Sequence, residues 1–140
     1  MKRFISKFFS YFRVLGKGKN LFSDSSTPLD LGKAGELEAE RYLTRAGLHI
    51  IERNKRLGNL EIDLVAQDEN EIVFVEVKTR RNNRWGFPES NVDYKKQRAL
   101  KRAGKYYFLK NCSPTQTYRF DIVAITLEPE VSIEWIKNAF

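Results

Sequence analysis

The run Ile72-Val73-Phe74-Val75-Glu76-Val77-Lys78-Thr79-Arg80 constrains this chain more than any other. It is rich in β-branched and aromatic residues, as an interior strand is. Side chains on a strand alternate faces, so Val73, Val75 and Val77 point one way. Phe74, Glu76, Lys78 and Arg80 point the other. A carboxylate and an ammonium thus lie side by side on a strand otherwise apolar enough to be buried. Burying charge is costly unless it is paired or binds metal. The fold must therefore supply Glu76 with a partner.

The preceding apolar run, Leu60–Gln67, places Glu61 and Asp63 on one face, with Ile62, Leu64 and Ala66 alternating against them. Asp68-Glu69-Asn70 is turn material, so the two runs predict a β-hairpin that brings Asp63 near Glu76. Two neighbouring carboxylates repel, and a divalent cation resolves that repulsion. Mg²⁺ favours such oxygen ligands, keeps several waters, and can be replaced by Mn²⁺. Asp63 and Glu76 are thus expected as metal ligands. The ion would activate a water and stabilise charge at a phosphate under attack. Lys78, on the Glu76 face, is placed to orient or deprotonate that water, or to neutralise the phosphate. The plainer alternative is an ion pair between Lys78 and Glu76 or a neighbour.

The remaining elements follow from their end signals. Thr27 is a helix N-cap, Pro28 suits the first turn and Asp30 completes a capping box. Leu31, Gly35, Ala39, Tyr42, Leu43 and Ala46 form one face, and Gly47 ends the helix. Glu36 flanks that face and can look toward whatever the helix covers. A short strand over His49–Arg53 and a turn-like segment over Asn54–Asn59 lead into the hairpin. Arg81–Asn91 reads as a loop. Ser90 and Asp93 suggest a second capping box, opening a helix with Val92, Lys96, Ala99, Leu100, Ala103 and Tyr107 on one face. After a loop at Asn111–Gln116, strands are expected over Tyr118–Leu127 and Val131–Lys137. The expected domain, residues 29–140, is α/β, with a mixed central sheet flanked by helices in the order α-β-β-β-α-β-β.

Charge separates this domain from what precedes it. Residues 1–28 carry six basic residues and one acid, so five of the seven net positive charges lie there. Phe4, Ile5, Phe8, Phe9, Phe12 and Leu15 fall at helical spacing among them. Three readings of this basic amphipathic arm stand open: a helix on a membrane surface, an arm on nucleic acid, or a terminus whose aromatics pack on the domain. Residues 23–27 read as a linker. One cysteine, Cys112, excludes an internal disulfide and a cysteine-based zinc site. One histidine, His49, leaves little for a two-histidine metal site or a His-bearing triad. No apolar run reaches the roughly 20 residues that span a bilayer. The expectation is a cytoplasmic protein with no small-molecule cofactor, its chemistry resting on carboxylates, lysines and hydroxyls.

Taken in order, Glu61-Ile62-Asp63-Leu64-Val65, Phe74-Val75-Glu76-Val77-Lys78-Thr79-Arg80, Val92 with Lys96-Gln97, and Arg119-Phe120-Asp121 form a set. That set resembles the bacterial YraN-like family over about Leu31–Phe140, including the closing Asn138-Ala139-Phe140. The family in turn looks like archaeal Holliday-junction resolvases and other PD-(D/E)XK nucleases. The resemblance implies a restriction-endonuclease-like core, Asp63 and Glu76 as metal ligands, and Lys78 as the catalytic lysine. It gives Glu36 the role of a helix-borne glutamate supporting the metal through water. Lys96 and Gln97 match a polar pair that contacts the scissile phosphate. Leu60 departs from the glycine usual before Glu-Ile-Asp, but Gly58 lies two residues earlier and can build the turn.

The function these readings imply is a metal-dependent endonuclease hydrolysing DNA phosphodiesters, with branched structures as one substrate class. The alternative is a nuclease-fold module that binds nucleic acid with little or no catalysis. A homodimer would match the two-fold symmetry of a junction. In the loop, Arg80, Arg81 and Arg84 suit phosphates, and Trp85 offers a ring for stacking on a base. Arg119 and Asp121 are expected to pair with each other or with Glu36, in a structural role.

Overall fold

Two helices and a mixed sheet carry the chain in a computed structural model that describes residues 10–12, 27–82 and 92–140. The elements are β1 (Ser10–Phe12), α1 (Pro28–Arg45), β2 (His49–Leu57), β3 (Leu60–Asp68), β4 (Glu71–Arg80), α2 (Tyr94–Asn111), β5 (Thr117–Thr126) and β6 (Ser132–Ile136). The order α-β-β-β-α-β-β expected of the domain is present, with β1 added at the sheet edge. The sheet order is β1-β6-β5-β4-β3-β2. Among the described strands only the β4–β5 pair is parallel. That pairing requires a crossover, which α2 supplies.

Three layers follow from the alternation in β4. Val73, Val75 and Val77 pack with Ala39 and Leu43 of α1. Ile72 and Phe74 pack with Leu100 and Tyr107 of α2. Small residues let each helix approach closely. A Cβ on Gly35 would stand 1.8 Å from Thr79 Oγ1, and one on Gly104 would stand 2.6 Å from the Phe120 ring. The α1 capping box forms as expected: Thr27 Oγ1 accepts from Asp30 N–H, and Asp30 Oδ2 accepts from Thr27 N–H.

Several boundaries differ from the sequence reading. Residues 54–57 are strand, not turn, and the β2–β3 hairpin closes over Gly58-Asn59 alone. Gly58 has φ +63°, the conformation required at the first central position of such a two-residue turn. The turn is therefore built at Gly58, as the Leu60 departure suggested. Asp93, not Ser90, caps α2, its carboxylate accepting from Lys96 N–H at 2.7 Å. Ser90 lies outside the described residues, and Val92 precedes the helix. Ser10–Phe12 pair with β6 as a strand, so helical spacing does not hold there. The rest of the arm up to residue 26 lies outside the described residues. Among the described residues no helix is long and apolar enough to cross a membrane.

Candidate metal and phosphate site

The sheet forks at Asp63. The β3–β4 ladder runs from Asp68↔Glu71 to Leu64↔Val75 and ends there. Beyond it, Leu60–Ile62 stay paired with β2, while the rest of β4 stays paired with β5. The break also reverses which way β3 faces. Leu64 packs on the α1 side and Ile62 on the α2 side, although residues two apart on a regular strand share a face. This corrects the uniform alternation expected of Ile62, Leu64 and Ala66.

Asn54 on β2 is the cause visible in the backbone. It stands opposite Asp63 in the register, between the pairs Arg53↔Leu64 and Lys55↔Ile62, and has φ +47°. Asparagine is enriched in this left-handed region. Its Nδ2 donates to Glu36 Oε2 at 2.8 Å, tying α1 to the break. Sequence reasoning took Asn54 for the start of a turn. An asparagine inside an otherwise strand-like stretch was the signal for this role.

At the fork, the carboxylate of Asp63 replaces the missing ladder partner. Its Oδ2 accepts from Val77 N–H at 2.7 Å. Glu76 is buried with only 3% of its side chain exposed. Lys78 Nζ bonds Glu76 Oε1 at 2.7 Å, and Lys96 Nζ bonds the same oxygen. Glu76 Oε2 is buried with no hydrogen-bond partner among the described residues. The plain ion-pair reading of Lys78 therefore holds as geometry, but it satisfies only half of the carboxylate.

The electrostatics are those of a crowded anionic site. Burial pushes the Asp63 carboxyl up to about 7, helped by the charges of Glu76 and Glu36 and opposed by the Val77 N–H and Lys96. Burial draws the Lys96 ammonium down, but the Glu76 carboxylate outweighs it and holds the group above its ordinary value. Lys96 therefore stays charged at neutral pH.

The donor set fits a hard, oxygen-preferring cation. It offers two neighbouring carboxylates that repel, and one of their oxygens is buried and unpartnered. Among the described residues no three of His, Cys, Asp and Glu already converge as a ligand cage. A pair of carboxylates with water completing the shell is how Mg²⁺ is commonly held.

The sequence-derived residues divide. Asp63, Glu76, Lys78, Lys96 and Glu36 come together at the fork. Gln97 turns back, its Nε2 donating to Val92 O at 2.8 Å. Arg80 ends β4 and Arg81 follows it at the surface, where their carbonyls accept from Leu127 and Glu128 N–H. Arg84 and Trp85 lie outside the described residues. Arg119 and Asp121 pair with each other and not with Glu36. The Arg119 guanidinium also reaches Asp68 and Glu71, and Asp121 accepts from Trp135 Nε1 and Asn138 N–H. The expected pairing of Arg119 with Asp121 is the one observed.

Residues 35–125 match the sequence profile described as "Uncharacterised protein family UPF0102". A UPF0102 protein of Caldicellulosiruptor saccharolyticus is 40% identical over 114 residues, covering 79% of this chain and 97% of that protein. One of Symbiobacterium thermophilum is 44% identical over 112 residues, covering 79% and 95%. Among solved structures, Pyrococcus furiosus SfsA in complex with Ca²⁺ overlaps 76% of this chain and 62% of that one. Its TM-score is 0.38 and its identity 17%, too slight a likeness to transfer a function.

Proposed function

This chain belongs to the uncharacterised protein family UPF0102, and we propose that it is a metal-dependent nuclease hydrolysing phosphodiesters of DNA. The observation that carries this reading is the buried Glu76 beside Asp63, with Oε2 unpartnered and two lysines on Oε1. Asp63 and Glu76 would hold Mg²⁺ or Mn²⁺, which when bound supplies a more acidic water and a counter-charge for the phosphate. Glu36, fixed by Asn54, would be the outer carboxylate supporting the ion through water.

Lys78 and Lys96 bring two positive charges to the same point. Lys78 donates to a non-bridging phosphate oxygen, where negative charge grows as a water oxygen bonds to phosphorus and a P–O bond to the neighbouring sugar breaks. Lys96 stays on Glu76 and balances the local charge as substrate enters. The Val77 N–H fixes Asp63, so the aim of the carboxylate rests on the backbone and not on a free rotamer.

The test is cleavage of linear, single-stranded, flapped and four-way DNA with Mg²⁺ or Mn²⁺. Asp63→Ala, Glu76→Ala and Lys78→Ala are each expected to lower the rate at least about 100-fold, a magnitude typical of removing one such group. If all three variants cut like the wild type, this site is wrong. Metal-independent binding of DNA with no cleavage of any substrate would replace the nuclease by a binding module.

A further inference from the structure

The outward face of α2 belongs to no function described above. It carries Lys95, Arg98, Lys101, Arg102, Lys105 and Lys110, all exposed, and the helix contains no acidic residue. None of the six makes an ion pair among the described residues. At 1.5 Å per residue the helix is about 27 Å long, so the cations form a track and not a point.

Rings are set among these charges. Tyr94 is 73% exposed and Tyr106 53%. Arg98 lies over Tyr94, and Lys110 lies 4.7 Å from the Tyr106 ring centre. Beside the helix a groove of about 400 Å³ opens, lined by Lys101, Arg102 and Lys105, by the rings of Tyr118, Phe120 and Phe140, and by Arg119 and Asn138. Phe120 and Phe140 are stacked 5.4 Å apart, and Lys101 lies over Phe140.

Cations alone suit any polyanion. Cations alternating with open rings suit a strand whose bases are unstacked, because every base offers a face to a ring. A duplex hides those faces. An anionic membrane would want aliphatic bulk, and the only large aliphatic side chain exposed on this helix is Leu109. The same helix delivers Lys96 to Glu76 from its inward side, so the track and the fork share one element.

We propose that the outward face of α2 and its adjoining groove bind single-stranded nucleic acid through phosphate contacts and base stacking. This deepens the nuclease reading and rests on it for the destination of the strand, though not for binding itself. It makes unpaired segments, and not continuous duplex, the preferred substrate.

The experiment is fluorescence anisotropy with the full chain, a labelled DNA of about 20 nucleotides and mixed sequence, and the same sequence as duplex. EDTA is present throughout, so no cleavage enters. The single strand is expected to bind at least tenfold more tightly than the duplex. Lys101→Gln with Arg102→Gln and Lys105→Gln should weaken it tenfold or more. The same variant should lower the salt slope by about 0.7 for each phosphate it leaves unneutralised. Tyr94→Ala with Tyr106→Ala, at exposed positions that leave the melting temperature unchanged, should weaken single-strand binding at least fivefold with the slope preserved.

Equal or tighter binding of duplex would overturn the proposal, as would tyrosine variants that bind like the wild type. Binding to vesicles of phosphatidylglycerol and phosphatidylcholine that displaces the DNA would overturn it in favour of a membrane surface. Because binding is read without metal, failed cleavage beside intact strand preference would sink the nuclease reading alone. Metal-dependent cutting without that preference would sink this inference alone.

Discussion

Asp63 is a carboxylate asked to do two things. It caps the Val77 N–H that the β3–β4 fork leaves without a ladder partner, and it faces the charge of Glu76. Its folded value near 7 stands above the ordinary 3.8, so the native state binds this proton more tightly than the unfolded chain. The stabilisation from that proton is present below about pH 4 and is lost as pH rises through 7. In EDTA, urea unfolding of the wild type should therefore show stability falling by roughly 2–4 kcal/mol between about pH 4 and 8 from this group. Asp63→Asn should remove that component and be the more stable of the two at the alkaline end of that range. Equal slopes for the two proteins would mean that Asp63 is not held against a second negative charge. Asn54 works on the same point from the other side, its positive φ and its bond to Glu36 placing the break and the third carboxylate together.

Among the elements, α1 comes close to β4 at Gly35. Thr79 Oγ1 occupies the space that a Cβ on Gly35 would need, and it is itself buried without a hydrogen-bond partner among the described residues. Gly35→Ala should destabilise the fold by about 2–4 kcal/mol despite its gain in helix propensity. Thr79→Ala alone should be near neutral, because it removes an unsatisfied hydroxyl. The double variant should recover much of the stability, which a double-mutant cycle in urea would measure. Additive effects would show that the helix can shift instead. The glycine was readable in the sequence as part of the helix face, but its partner was not, since packing across layers has no local signal. The same holds at the site. Alternation in Ile72–Arg80 placed Glu76 and Lys78 together, and the hairpin brought Asp63 near. The fork itself was hidden, because a pattern of period two assumes a strand that stays regular and Asn54 breaks it. Lys96 was assigned to a phosphate. Periodicity put it on the inward face of α2, as observed, but which group it meets there depends on packing across layers, which has no local signal.

Over the whole molecule, charge is sorted. At the β3–β4 turn end of the sheet, Arg119 joins buried Asp121 to the half-buried Asp68 and Glu71 in one network. Removing the guanidinium leaves Asp121 buried without its counter-charge. Arg119→Ala should lower unfolding stability by about 3–5 kcal/mol, read from the urea midpoint. A decrease under about 1 kcal/mol would mean that the network is dispensable. The opposite end of β4 carries acids short of full compensation, with α2 and its cations alongside. The most direct measurement is an anomalous difference map from crystals soaked in Mn²⁺. The account predicts a peak at about 2.0–2.3 Å from oxygens of both Asp63 and Glu76, absent from Glu76→Ala crystals. Soaked crystals with no peak at the fork, and with Lys78 and Lys96 still on Glu76, would contradict it.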